Sequence, residues 1–324
     1  MKNLNSFGHA QPLCKDELDL KVQKDPLFNS AWIDFNERKW GLAAEKIELG
    51  PERGTSWELR AVLYRDKSNR FVNPPRNPHL PVDFQSSSLK LSSINRRMRV
   101  ATEGLAEIVK NRGVRGALNL SPVLSDIRPF QWLGLRAVPR YTYHLSIADY
   151  RDSLESAVLN KARKAFSLGY RCEVSRSFSE IQECLSAAEE RKGFNHQVGA
   201  TDLSVLSEAM GDEAFVAFLC RNSEGEPVGA WVRIWSPGGA VLAWSAGVKR
   251  QALKDGVNNL LGQFALDFFA AQGCTTFDFV GANIPPVAEM KEAWGGRLVQ
   301  YFSVSEVSWR SVLRDIRDLT ARRT

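Results

Sequence analysis

Cysteine and histidine are scarce in this sequence, and neither is spaced as metal ligands or redox pairs are. Five cysteines are scattered singly through 324 residues without a C-x-x-C, and the four histidines lie far apart. An odd, scattered set of cysteines is typical of a reducing compartment rather than of a disulfide framework. The sequence therefore predicts neither a metal site nor a fold held by disulfides.

Long apolar runs and common catalytic signatures are also missing. No stretch approaches the roughly 18 apolar residues of a membrane span, and the start of the chain lacks the apolar core of a signal peptide. The motifs G-x-S-x-G, H-E-x-x-H, G-x-G-x-x-G and G-x-x-x-x-G-K-S/T are absent, which disfavours serine-hydrolase, zinc-protease, Rossmann and P-loop chemistry. Because neither a membrane span nor a signal peptide is evident, we expect a cytoplasmic protein of bacterial type.

The composition that is present fits a globular protein with room for two domains. Hydrophobic residues make up 44% of the chain and charged residues 25%, which indicates neither disorder nor a fibrous class. A chain of 324 residues can bury two cores of ordinary size. The net charge of +6 permits an anionic partner without requiring nucleic acid.

The strongest pattern lies in the second half of the chain. Three strand-like runs, at residues 214–220, 227–235 and 240–248, are joined by turn-rich segments. A polar loop, an apolar-periodic helix closed by Gly273 and a short apolar run at residues 275–281 follow. This order predicts an antiparallel meander that feeds a strand–helix–strand crossover. Such a crossover places the loop before its helix at the edge of the sheet where ligands bind.

The loop before that helix has the features of an anion site. Its basic residues bring positive charge, its glycine permits a close backbone approach, and Asp255 can cap the helix. The first N–H groups of the helix would face a ligand with the positive end of the helix dipole behind them. An ordinary capped helix with solvated lysines explains the same residues, and both interpretations stay open. The predicted donor-binding residues are Arg250, Lys254, Gly256, Val257, Asn258 and Asn259.

The element order and three phrases of the sequence resemble a known superfamily. Meander, crossover, short helix and final strand are similar to the GNAT acyltransferase core, in which the loop after the central strand holds the pyrophosphate of an acyl-CoA. The phrases DGVNNLL, FDFVG and MKEAWGGRLVQY resemble the FemAB-type peptidoglycan-bridge aminoacyltransferases and their relatives. The resemblance implies an α/β fold of tandem GNAT-like domains, with mixed central sheets flanked by helices.

The same resemblance implies a division of the chain into three parts. These are an N-terminal arm at residues 1–24, a first GNAT-like domain at 25–140, and a second GNAT-like domain with the donor site at 141–324. Repetition between the two halves is not convincing in the sequence itself. The expected duplication therefore comes from the resemblance and not from local patterns.

Local patterns predict several elements of the first half and one at the end of the chain. Asn29 is placed to cap a short amphipathic helix, and residues 57–65 alternate as a strand. Residues 73–84 contain four prolines, which predicts an extended loop, and residues 97–111 have helical periodicity. A packed helix with a basic rim is predicted from Trp309 onward.

Lys291 is the first candidate for a catalytic residue. In the Fem branch the lysine of an F-K phrase has been assigned a role in stabilising developing negative charge, and Met290–Lys291 matches that phrase. Methionine replaces the phenylalanine, which puts any stacking role of that position in doubt. A surface lysine between Glu289 and Glu292 is the alternative interpretation.

Asp278 is the second candidate, and four further residues are assigned to an acceptor cleft. Asp278 alternates with two phenylalanines on its strand and is interpreted either as a general base or as an acceptor for backbone N–H groups. The FemAB-type family binds its acceptor between the two domains. On that basis the predicted acceptor residues are Tyr64, Arg76, Tyr143 and Arg191.

These features predict an N-acyltransferase. The donor is expected to be an acyl thioester such as acyl-CoA, used as a co-substrate, and the acceptor an amine of a cell-envelope or polysaccharide precursor. No permanently bound cofactor is predicted. Two alternatives stay open: an aminoacyl-tRNA donor, which requires a broad basic surface, and a binding protein with a non-catalytic GNAT-like fold.

Overall fold

The first half of the chain supplies a small antiparallel sheet and the helices that cover it. The computed structural model of the protein describes residues 25–52, 54, 56–195 and 197–307, so the predicted arm and the predicted C-terminal helix lie outside the described residues. The elements of this half are α1 (Ser30–Trp40), β1 (Ala43–Leu49), β2 (Trp57–Arg65), β3 (Phe71–Val72), β4 (Val82–Ser86), α2 (Leu91–Arg112), β5 (Leu118–Asn119), α3 (Arg128–Trp132) and β6 (Leu135–Ser146).

The first half follows its local signals except at two strands. Asn29 caps α1 as predicted, because its side-chain oxygen accepts from the N–H groups of Ala31 and Trp32 at 2.9 and 3.3 Å. Strand β1 was not predicted, since its outer positions are charged, and β4 forms within the segment predicted to be a loop. Both strands pair with β2, and this long-range pairing overrides their weak local patterns.

The second half contains the predicted meander and crossover. Its elements are α4 (Tyr150–Ser153), α5 (Ser156–Ser167), β7 (Arg171–Val174), α6 (Phe178–Lys192), α7 (Ala200–Met210), β8 (Phe215–Arg221), β9 (Pro227–Trp235), β10 (Ala240–Val248), α8 (Val257–Ala271), β11 (Thr276–Asp278), α9 (Pro285–Glu292) and β12 (Arg297–Glu306). Strands β8, β9 and β10 pair antiparallel, and β11 lies parallel to β10 after the α8 crossover. The predicted core of this half is confirmed.

The two halves have the same order of elements and exchange strands with each other. Helix, antiparallel strands, helix, short strand, helix and long strand occur from α1 to β6 and again from α7 to β12. The antiparallel set has three strands in the second half and four in the first, where β3 and β4 both pair with β2. The long strands β6 and β12 pair antiparallel, and each also pairs with the short strand of the other half: β11 with β6, and β5 with β12. The larger sheet thus runs β5-β12-β6-β11-β10-β9-β8-β7. This is the tandem α/β architecture that the resemblance implied.

Three groups of buried side chains pack the helices against the two sheets. One fills the first half around α2, and a second lies between the large sheet and α5 with α8. The third lies on the opposite face of the large sheet, under α1, α6 and α7. Helix α1 therefore packs on the second half, where the ring of Trp32 meets that of Trp244 edge-on at 5.3 Å. The proposed boundary at residue 140 falls inside β6, the strand that joins both halves.

Candidate active site

Strand β11 pairs with β10 only along the first three residues of β10. Their parallel register ends at Leu242 and Asp278, although β10 continues to Val248. A bulge between Leu242 and Ser245 shifts β10 against β9 at the same point. The two strands therefore separate at the edge of the sheet that precedes α8. We call this opening, between residues 243–248 and the turn at residues 279–281, the slot.

The turn on the β11 side of the slot is held in shape by Lys291. The Lys291 ammonium group donates to the carbonyl oxygens of Phe279 at 2.6 Å and Val280 at 3.0 Å, and also to that of Gly281. Val280 has a φ of 53°, in the left-handed region that a β-branched residue rarely adopts. The predicted catalytic lysine thus forms part of the wall of the slot, where it supports a strained turn.

Asp278 supports the same turn from the other side. One carboxylate oxygen accepts from the Val280 N–H at 2.8 Å and from the Thr142 hydroxyl at 2.5 Å, and the other lies 3.5 Å from His144 Nε2. Burial alone would raise the pKa of this carboxyl, but its interaction with His144 and His79 outweighs burial and lowers the pKa to about 2. A carboxylate of such low pKa is a weak base at neutral pH, so the geometry favours the structural interpretation of Asp278.

A proline-rich loop of the first half, residues 73–80, crosses the slot. The Arg76 guanidinium group donates to the Trp244 carbonyl at 3.2 Å, and the Trp244 indole N–H donates to the Arg76 carbonyl at 3.1 Å. The guanidinium group also lies 5.3 Å from the centre of the indole ring. Burial lowers the pKa of Arg76 to about 10. The structure therefore places this predicted acceptor residue between the two halves, on the β10 side of the slot.

His79, in the same loop, was not predicted from the sequence. Its Nε2 lies 2.9 Å from a carboxylate oxygen of Asp25. Burial lowers the pKa of His79, but the Asp25 charge and hydrogen bond outweigh it, and the pKa is raised above its ordinary value. With Thr142, Asp278 and Tyr301, His79 lines a cavity of about 10 Å³, which has room for a single water molecule.

The loop before α8 packs directly against α5. This contact corrects the prediction that Asp255 caps α8. Gly256 has a φ of 89°, and a Cβ atom there would lie 2.2 Å from the carbonyl oxygen of Lys161. Contact between the helices therefore requires this glycine. Asp255 does not cap α8, because its carboxylate accepts from the Tyr170 hydroxyl at 2.9 Å and lies 3.4 Å from the Lys164 ammonium group.

The start of α8 retains two of the predicted amide donors. The carbonyl of Gly256 accepts the first hydrogen bonds of the helix, from Asn259 at 2.9 Å and Leu260 at 3.0 Å. The N–H groups of Val257 and Asn258 come before these bonds and can donate to an anion. The Asn259 amide is already engaged within the helix and is not such a donor. Arg250 and Lys254 lie exposed on the loop before the helix, as an anion site requires.

The other predicted acceptor residues occupy three different environments. Tyr64 is fully buried in the core of the first half, which argues against contact with an acceptor. Tyr143 is 8% exposed and packs in the core under α8. Arg191 donates to the carbonyl of Val248 at 2.9 Å, at the end of β10. Of the four, the structure brings Arg76 and Arg191 to the strand that forms one side of the slot.

Residues 153–291 match the sequence model of the acetyltransferase (GNAT) domain. No curated protein sequence matches the chain. Within the described residues, no helix combines the length and hydropathy needed to cross a membrane.

Several solved structures share the fold over most of the chain. FemX matches with a TM-score of 0.58 and 12% identity, over 84% of this chain and 90% of FemX. The C-terminal domain of a protein described as a lysylphosphatidylglycerol synthetase from Agrobacterium fabrum matches with a TM-score of 0.55 and 12% identity, over 88% and 90% of the two chains. L-PGS from Bacillus licheniformis matches with a TM-score of 0.50 and 14% identity, over 82% and 86%.

The sequence match and the structural likeness cover different lengths of the chain. At these identities the structural likeness concerns the fold, whereas the sequence match covers residues 153–291, from the end of α4 into α9. Residues 153–291 match the acetyltransferase (GNAT) domain, and the chain as a whole shares its fold with FemX.

Proposed function

We propose that the protein transfers an acyl group from an acyl thioester of the acyl-CoA type to an amine. The observation that carries this proposal is the separation of β10 from β11 where the chain turns into α8. A slot between two strands can hold an extended thioester, and the adjoining helix start can hold its phosphates. The N–H groups of Val257 and Asn258, with Arg250 and Lys254 beside them, are the proposed phosphate contacts.

The residues around the slot have distinct proposed roles. Backbone N–H groups of residues 243–248, which lie beyond the β11 pairing, are placed to stabilise the oxyanion of the tetrahedral intermediate. Lys291 acts by holding the turn at residues 279–281, since its ammonium group is engaged by three carbonyls. Asp278 holds the same turn through the Val280 amide. Both are positioning residues in this proposal.

The acceptor amine is proposed to enter between the halves, beneath the loop that carries Arg76 and His79. An amine must lose a proton before it can attack a thioester carbonyl. His79 is the proposed base for this step, because Asp25 orients its ring and the cavity beside it admits a water that can relay the proton. The name of one structural neighbour refers to lysylphosphatidylglycerol, which favours an acceptor of the cell envelope.

An aminoacyl-tRNA donor is the second candidate, and one observation favours it. Lys161, Arg163 and Lys164 are exposed on α5, beside the start of α8 and Lys254. Together they give a basic surface next to the slot. Binding of tRNA to such a surface falls steeply with salt, because each phosphate contact releases counterions. Binding of a CoA thioester depends on fewer charges and falls less steeply.

Calorimetric titration with CoA and with charged tRNA, each at two salt concentrations, tests the proposal. We expect CoA to bind, and Lys254→Glu to weaken its binding by about tenfold, since a contact to phosphate is replaced by repulsion. Lys67→Glu, an equal charge change on the exposed β2–β3 turn, is the matched control and is expected to leave CoA binding unchanged. Salt-dependent binding of tRNA without binding of CoA would replace the thioester by the second candidate.

A further inference from the structure

Arg233, on β9, is a buried cation whose hydrogen bonds are incomplete. The residue is 1% exposed, and its NH1 group donates to the carbonyls of Val232 at 2.9 Å and Ser245 at 2.8 Å. Its Nε has no hydrogen-bond partner among the residues that the structure describes. Buried polar atoms in proteins are nearly always paired, so this nitrogen requires an explanation.

Arg233 also lacks a counter-charge, unlike the other buried charged side chains in the described chain. His79 faces Asp25, Asp278 faces His144, and Glu189 acts on the charge of Arg76. Among the described residues no carboxylate acts on Arg233 in this way, and burial lowers its pKa well below the ordinary value. A buried charge without a partner is destabilising unless something else compensates it.

The position of the guanidinium group shows where compensation can come from. Ser245 belongs to the part of β10 that has left β11, so the Arg233 side chain reaches the inner end of the slot. The guanidinium group lies 3.9 Å from the ring centre of Trp231 and 5.5 Å from that of Phe277.

Further aromatic rings lie next to those that contact the Arg233 guanidinium group. Trp231, Phe277, Phe279 and Trp294 form a closed set in which neighbouring ring centres are 4.9 to 6.5 Å apart. These rings lie beneath α8, where Gly262 leaves room for the two indoles. The Arg233 guanidinium group therefore lies against aromatic rings near the point where β10 and β11 separate.

We propose that Arg233 pairs with a carboxylate at the far end of a ligand that enters the slot. A guanidinium group with an unused Nε–H matches the planar geometry of a carboxylate, and the aromatic rings suit an apolar stem in front of it. A donor that carries a dicarboxylic acyl group provides both features, and an acceptor amine with a carboxylate provides the same charge. This inference rests on the proposed function and defines its substrate class.

Matched ligands on the unaltered protein separate the two sources of the carboxylate. In the donor arm, succinyl-CoA is compared with butyryl-CoA, which has the same chain length without the charge. In the acceptor arm, glycine is compared with glycinamide. We expect calorimetry to show a preference of about tenfold for the charged member of one pair, as one charge-assisted contact provides.

Substitutions of Arg233 then assign the preference to this side chain. Arg233→Met is expected to bind both members of the pair alike, and Arg233→Lys to keep part of the preference, since it retains the charge but loses the planar fork. Arg60→Met, on the exposed outer side of β2, is the matched control and should keep the full preference. A thermal melt of each variant checks folding, and the ligand pairs on the unaltered protein remain decisive if a variant does not fold.

Each outcome decides the inference. A preference in either arm that Arg233→Met removes supports it and names the source. Absence of a preference in both arms of the unaltered protein, or a preference that Arg233→Met leaves intact, overturns it. If neither thioester binds, the donor assigned under the proposed function is wrong, and the glycine pair alone then decides on Arg233.

Discussion

The two halves of the molecule share one order of elements but differ at the point where the site lies. In the second half, β10 and β11 pair over three residues and then separate, and α8 starts at a left-handed glycine. In the first half the corresponding parallel contacts are two isolated bridges, Phe71 with Val114 and Leu80 with Leu120, and α2 starts after Lys90 without a side-chain cap. The fold by itself therefore does not produce a site.

The first half covers the slot of the second half. Its residues 73–80 cross the slot, and its helix α1 packs on the far face of the large sheet. Leu89, next to the start of α2, is 92% exposed, and no glycine there permits a close backbone approach. One copy of the fold holds the strands apart, and the other places Arg76 and His79 over the opening.

The largest expected effect tests the difference between glycines of the two halves. Gly256→Ala puts a Cβ atom 2.2 Å from a backbone oxygen of α5 at a positive φ, so we expect a loss of about 3 kcal/mol in the free energy of unfolding. Gly116→Ala, at φ 75° in open space in the first half, should cost about 1 kcal/mol. Urea denaturation measures both, and equal losses would contradict the close contact of α5 with α8.

Asp278→Asn probes the second-half turn by pH. The pKa of Asp278 is lowered to about 2, so its stabilising effect is complete above the unfolded value near 4 and is lost as pH falls towards 2. A shift of this size corresponds to about 2.5 kcal/mol at neutral pH. The variant should be less stable by that order at pH 7, and the difference should vanish near pH 2. Denaturant midpoints across this range are the measurement, and a difference that persists at pH 2 argues against the depressed pKa.

Lys291→Met tests whether this lysine holds the slot open. Three carbonyls lose a charged donor, and we expect a loss of about 2 kcal/mol, typical of hydrogen bonds to charged groups. Hydrogen exchange should become faster at the amides around residues 279–281 but not in the first-half sheet. Lys67→Met serves as the control on the exposed β2–β3 turn. Unchanged exchange in the turn would contradict the positioning role of Lys291.

The smallest effect is expected where the halves meet through α1. Asn29→Ala removes the cap of this helix and should cost about 1 kcal/mol. Because α1 packs on the second half, we expect the loss to appear also in the hydrogen exchange of the β10 amides around Trp244. If only probes in the first half detect the loss of stability, α1 does not couple the two halves.

The sequence predicts the second half better than the first, for physical reasons. Strands β8, β9 and β10 are almost continuously apolar and β-branched or aromatic, so their local pattern and their buried environment agree. Strands β1, β4 and β7 expose charged or polar residues and exist through pairing with a neighbour. The exchange of β5 and β11 between halves depends on contacts between distant residues, which no local pattern contains.

The candidate site could likewise be predicted from the sequence only in part. Local patterns and the family resemblance identified Gly256, Asp278 and Lys291, and the structure places all three around the slot or its adjoining helix start. Asp255 was misplaced as a cap because Tyr170, far away in sequence, competes for its carboxylate. The pairing of His79 with Asp25 links residues 54 positions apart. The roles of the predicted residues in catalysis stay predictions.

The exchanged short strands have a consequence for how the molecule comes apart. Because β5 borders β12 and β11 borders β6, neither half can unfold without stripping a neighbour from the other. Heating should therefore produce a single calorimetric transition in which the van't Hoff enthalpy equals the calorimetric enthalpy. A ligand bound in the slot of the second half would then protect both halves of the molecule against proteolysis.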